Sequence, residues 1–112
     1  MSLKEYLFGF DAENKAVKFL EKDGFKILER NFSSKFGEID IIAQKDEILH
    51  FIEVKATQGE YEAIYRITAK KLDKILKTVK FYMTQKQNEL NFQIDAIVVN
   101  NTSLELIENI TI

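Results

Sequence analysis

The sequence predicts an α/β domain in which a central mixed sheet is flanked by helices. Two amphipathic helical stretches bracket three consecutive strand-like runs, and one or two further strands close the chain. The strands are apolar on both faces, as expected of a sheet covered on both sides. With 112 residues the chain is expected to form one domain over 1–112, since a second would leave neither half enough surface to bury.

The first helix is expected over about residues 3–23. Ser2 and Glu5 have capping-box spacing, and Tyr6, Phe10, Val17 and Leu20 follow one face of a 3.6-residue period, with Glu13 set into that stripe. Gly24 supplies a helix stop, and "FKILERNF" (25–32) reads as the first strand. "GEIDIIAQKDEILHFIEVKAT" (37–57) reads as two strands around a turn. If Asp46 and Glu47 form a two-residue turn, Lys45 pairs with Ile48 and Asp40 comes opposite Glu53. After the irregular "TQGEYEAIYR", a second helix is expected from about Thr68 to Lys86. Leu72, Ile75, Leu76, Val79 and Met83 gather on one side, with Arg66, Lys70, Lys74 and Lys77 opposite. "NFQIDAIVVN" is the fourth strand and "LELIENITI" a fifth at the edge.

Composition limits the function classes. Hydrophobic residues make up 46% and charged residues 30%, the balance of a soluble globular chain. The longest apolar runs are a few residues, so no membrane span is expected, and the N-terminal stretch lacks the pattern of a secretory signal. The absence of cysteine removes disulfides and thiolate metal sites and suits a cytoplasmic location. A net charge of -2 means that any polyanion must be met by a local patch.

The hairpin carries the candidate chemistry. Alternation places Phe51, Glu53 and Lys55 on one face of their strand and His50, Ile52 and Val54 on the other. An isolated charge in a covered sheet costs several kcal/mol, on the order of a buried-ion penalty, unless a partner or metal compensates it. Asp40 and Glu53 offer hard oxygen ligands to Mg2+ (or Mn2+), and Lys55 could hold the attacking water. Glu13 could add a helix-borne carboxylate. The competing explanation is an ordinary Glu53–Lys55 surface ion pair, worth ~0–1 kcal/mol, at a sheet end open to water. The only histidine, His50, reads as packed or hydrogen-bonded and gives no zinc site by itself.

Asp40, then Glu53-Val54-Lys55 after a hairpin, behind a helix bearing Glu13, resembles the PD-(D/E)XK nuclease superfamily. Its αβββαβ restriction endonuclease-like core is shared by restriction endonucleases and archaeal Holliday-junction resolvases. "GFDAENKA", "ERN", "GEIDIIA" and "FIEVK" are similar in order and spacing to the YraN-like bacterial family, from about Gly9 to Val99. The resemblance implies Asp40 and Glu53 as metal ligands, Lys55 as catalytic lysine and Glu13 as the helix-borne acid. Glu38 belongs to the GEID element, where Gly37 allows a tight start to the strand. Lys71 matches the lysine near the start of the second helix, and Asp95 a late strand aspartate expected to be structural. The family's arginines shortly after the EVK lysine and two before the late aspartate are here Thr57 and Gln93, which bears on phosphate contact rather than on the metal ligands.

The expected activity is therefore metal-dependent phosphodiester hydrolysis on DNA, including branched or damaged DNA. Cutting both strands at a junction favours a symmetric homodimer. Lys70, Lys71, Lys74 and Lys77 are the candidate nucleic-acid contacts, with Lys80 at the margin and Phe81 placed to stack on an unpaired base; a solvated lysine face is the plain alternative. A non-cleaving nucleic-acid-binding module and a protein-interaction domain are the competing functions.

Overall fold

A computed structural model describes residues 3–57 and 68–110, with side chains from Asp11 onward in the first segment. The capping pair Ser2 and Glu5, the side chains of Tyr6 and Phe10, the segment 58–67 with Arg66, and residues 111–112 lie outside this description.

Helix α1 spans Leu3–Lys22, followed by strands β1 (Lys26–Ser34), β2 (Gly37–Lys45) and β3 (Ile48–Ala56), helix α2 (Ala69–Gln85), and strands β4 (Asn91–Val99) and β5 (Leu104–Ile107). The strands form one mixed sheet in chain order, β1-β2-β3-β4-β5. Only β3 and β4 run parallel, because α2 carries the chain back across one face between them. A two-helix, five-strand arrangement of this order is consistent with a restriction endonuclease-like core.

Local chemistry sets the boundaries. Gly24 adopts φ 93, a left-handed conformation open to glycine, and its N–H closes on Glu21 O at 3.1 Å to end α1. Thr68 caps α2, its Oγ1 accepting from the Lys71 N–H at 3.1 Å. Asp46 and Glu47 both take positive φ (52 and 63), the two-residue turn whose twist suits a hairpin. Lys45↔Ile48 through Ile41↔Ile52 then follow the expected register. The first strand runs two residues beyond its expected end, to Ser34, where the Ser34 hydroxyl accepts from the Phe36 N–H and tightens the turn. The last strand is shorter than the sequence pattern suggests, ending at Ile107.

Two cores result. On the α1 side Ala12, Ala16 and Leu20 pack on Phe25, Ile41, Ile52 and Ile97; on the α2 side Ile75, Val79 and Tyr82 pack on Ile39, Ile42, Phe51 and Ile94. Ile39 and Ile41 therefore bury on opposite faces, although alternation would put both on one. The break falls at Asp40. Across the ladder, between the pairs Arg30↔Ile41 and Phe32↔Ile39, Asn31 takes φ 53. Asp40, at the level of this break, is part-buried.

Candidate metal and catalytic site

The β2–β3 pairing is continuous only as far as Ile41↔Ile52. At the next step the Asp40 carboxylate takes the place of a main-chain acceptor: its Oδ2 accepts the Val54 N–H at 2.7 Å. In return the Asp40 N–H donates to the Glu53 carboxylate. The expected opposition of Asp40 and Glu53 is thus realised as a reciprocal side-chain-to-backbone exchange at the end of the regular ladder.

Glu53 is only 5% exposed, and its Oε1 has no hydrogen-bond partner among the described residues. Burial, then the neighbouring Asp40 charge, pushes its pKa up from an ordinary 4.5 to about 8, with Lys55 and Lys71 opposing the rise. Asp40 is also raised, by burial first and by Glu13 and Glu38 further down, against the pull of the Val54 N–H and Lys55. Lys55 is lowered to about 8, by burial and by Lys71 within hydrogen-bonding reach. Two carboxylates that resist ionising, one with an oxygen lacking a partner among the described residues, stand together here, and such a donor set of oxygens could hold a hard divalent ion.

Glu13 approaches from the α1 side and acts on Asp40 through its charge. Its Oε1 accepts from Arg30 Nη2 at 3.1 Å, Arg30 Nε at 3.3 Å and Asn31 Nδ2 at 3.1 Å, while Arg30 Nη2 also donates to Asn14 Oδ1 at 2.8 Å. Arg30 and Asn31 are the residues for which sequence reasoning found no role, although both stand in the quoted "ERN". The signal lay in Asn31, a residue type that tolerates the left-handed turn by which both reach α1.

The four candidate nucleic-acid lysines separate into two groups. Lys71, in the first turn of α2, is part-buried and faces Lys55 and Glu53, so it belongs to the centre. Lys70, Lys74 and Lys77 are exposed, and Lys77 pairs with Asp73 at 3.2 Å along the helix.

A second polar cluster lies roughly 10 Å along β3, on the opposite face. His50 Nδ1 meets Asp95 Oδ2 at 2.6 Å, and Asp95 Oδ1 accepts from Gln93 Nε2 at 2.8 Å and the Asn109 N–H at 2.9 Å. Phe25 packs edge-on against the imidazole, with ring centroids 4.9 Å apart. His50, Asp95 and Glu108 bring ligand atoms within 4.8 Å of one another and could hold a metal ion. The fully buried Asp95 is nevertheless served by three protein donors, so the cluster is complete as a cross-strand lock. His50→Ala should accordingly cost about 2–4 kcal/mol in urea unfolding, because it leaves a buried carboxylate short of a donor. A loss below about 0.5 kcal/mol, the scale of an ordinary surface change, would refute the lock.

Residues 12–99, which include Glu13, Arg30, Asp40, Glu53, Lys55 and Lys71, match the uncharacterised protein family UPF0102. The chain belongs to UPF0102. It is 65% identical to a UPF0102 protein of Campylobacter hominis, with both chains covered in full. It is 56% identical to one of Campylobacter fetus and 58% identical to one of Campylobacter jejuni, each over 99% of both chains. UPF0102 is the YraN-like family, and the fold and the placing of Asp40, Glu53 and Lys55 are consistent with membership of the PD-(D/E)XK superfamily. In this UPF0102 protein Gln93 stands where the family's arginine was expected, and it bonds Asp95 together with His50. The departure is accommodated inside the lock, away from the acidic centre. Among the described residues, no helix is long and apolar enough to cross a membrane.

Proposed function

We propose that this UPF0102 protein is a divalent-metal-dependent endonuclease that hydrolyses phosphodiester bonds in DNA. The observation that carries the reading is the convergence of Asp40, Glu53 and Lys55 where β2 and β3 part, with Glu53 Oε1 buried and unpartnered among the described residues. Asp40 and Glu53 would hold Mg2+ or Mn2+. Such an ion, when bound, acidifies water and neutralises charge on the phosphate.

The chain's own groups have separable tasks. Lys55, whose pKa is lowered to about 8, exchanges a proton near neutral pH and can orient the attacking water or take its proton. Lys71 adds a positive charge beside it, where negative charge develops on the phosphoryl oxygens. Glu13, held by Arg30 and Asn31, sustains the negative field at Asp40 that favours a cation. Lys70 and Lys74, exposed on the same helix, would meet backbone phosphates.

The test is incubation of purified protein with labelled single-stranded, duplex and four-way-junction DNA in Mg2+, Mn2+ or EDTA, beside Lys55→Ala. Cleavage that needs the divalent ion and is lost in the variant is the expected result. Salt-sensitive binding without product under any ion would instead make the chain a non-cleaving nucleic-acid-binding module.

A further inference from the structure

Phe36, at the tip of the β1–β2 turn, and Phe81, on the outer face of α2, are each 37% exposed. The two rings with Lys77, Lys80 and Thr84 line an open groove of about 330 Å3, a size that admits a small planar ligand. Phe81 is backed by Phe32, ring centroids 6.2 Å apart, and Lys35 Nζ lies 5.2 Å from the centre of the Phe36 ring. Apolar aromatic faces ringed by ammonium groups are complementary to a flat base carried on a phosphate chain. In a duplex the base faces are stacked on one another and only the edges reach a protein, so this groove is suited to an unpaired base.

We propose that the Phe36–Phe81 groove binds a base of single-stranded DNA, with Lys35, Lys77 and Lys80 holding the adjoining phosphates. The choice of substrate rests on the hydrolytic reading above; the binding itself does not. Lys71 at the acidic centre and Phe81 are ten positions apart on one helix, about 15 Å along its axis. At the stacked spacing of 3.4 Å that is roughly four nucleotide steps. On the hydrolytic reading, the unpaired base would sit a few nucleotides along the strand from the scissile phosphate. Rings without hydrogen-bonding groups make the contact tolerant of base identity.

The test is fluorescence anisotropy in EDTA, where no hydrolysis can occur, with a labelled 15-nucleotide strand and a blunt duplex of equal length. Phe81→Ala is expected to weaken single-strand binding roughly 5- to 100-fold, the range for losing one stacked base, while duplex binding moves less than about twofold. Phe36→Ala should act in the same direction. Because the chain contains no tryptophan, Phe81→Trp adds a unique reporter, which should keep the affinity and be quenched by the single strand alone. It also covers the case in which the alanine variant fails to fold. Equal losses for both DNAs, unquenched tryptophan, or no DNA binding by the parent chain would each overturn the proposal. So would a dimer that sedimentation shows to dissociate on Phe81→Ala, since the groove would then be a self-association face. A chain that binds this way but never cuts retains the groove and discards the hydrolysis.

Discussion

Asp40→Asn is expected to abolish ion-dependent cleavage while leaving the protein folded. The asparagine oxygen can still accept the Val54 N–H, so the end of the β2–β3 ladder keeps its side-chain partner. What disappears is the negative charge and one hard ligand beside Glu53. The loss should be at least about 10²–10³-fold in rate, comparable to removing a preorganised electrostatic group from a reacting centre. The melting temperature should stay within a few kelvin of the parent, or rise slightly, because burial and the carboxylates of Glu13 and Glu38 already oppose ionisation of Asp40. Cleavage at the parent rate by the variant would assign the activity to another nuclease and remove Asp40 from the chemistry.

Glu53→Gln should have the largest effect on stability without metal, and the sign follows from the direction of its shift. Burial raises the carboxyl from 4.5 to about 8 in the folded chain, so its favourable contribution is fully present below pH 4.5 and is lost as pH rises through 8. Lys55 is lowered from 10.5 to about 8, so over pH 8–10.5 its effect runs the other way and stability recovers. In EDTA the melting temperature should fall between pH 5 and pH 8 and level off or climb beyond. Glu53→Gln flattens the fall and leaves the variant more stable at pH 8 by on the order of a few kcal/mol. Adding Mg2+ should raise the melting temperature of the parent at pH 8, where a cation relieves the buried carboxylates, and leave Glu53→Gln little changed. Identical pH slopes in parent and variant would show that Glu53 is not the group that titrates.

The sequence made the helices legible because each has an apolar stripe, and the hairpin because Asp46-Glu47 sits between two long strand runs. Asp40, Glu53 and Lys55 stood out as charges in an apolar sheet. Their arrangement did not. The flip of Ile39 and Ile41 to opposite faces violates the period on which strand reading depends, so nothing in the spacing discloses that Asp40 turns to cap Val54. Lys71, singled out by the resemblance and counted with the nucleic-acid contacts, could not be assigned to the centre from spacing, which does not tell that β3 lies alongside α2. The hold of Arg30 and Asn31 on Glu13 crosses seventeen and eighteen positions, beyond any local pattern. The His50–Asp95 bond was likewise out of reach, although both residues were read as structural.

The strand order also governs the sequence of assembly. β1, β2 and β3 are joined by two tight turns, and hairpins of this kind close in microseconds. The partner of β3 on its other side arrives only after α2, and the His50–Asp95 bond joins positions 45 apart. Closing that longer loop carries the greater entropic cost. During synthesis the carboxylates of Asp40 and Glu53 therefore leave the ribosome on a meander that can already pair, before α2 brings Lys71 over them. The carboxylate pair thus belongs to the locally paired half of the chain, and its cover is supplied by the half made later.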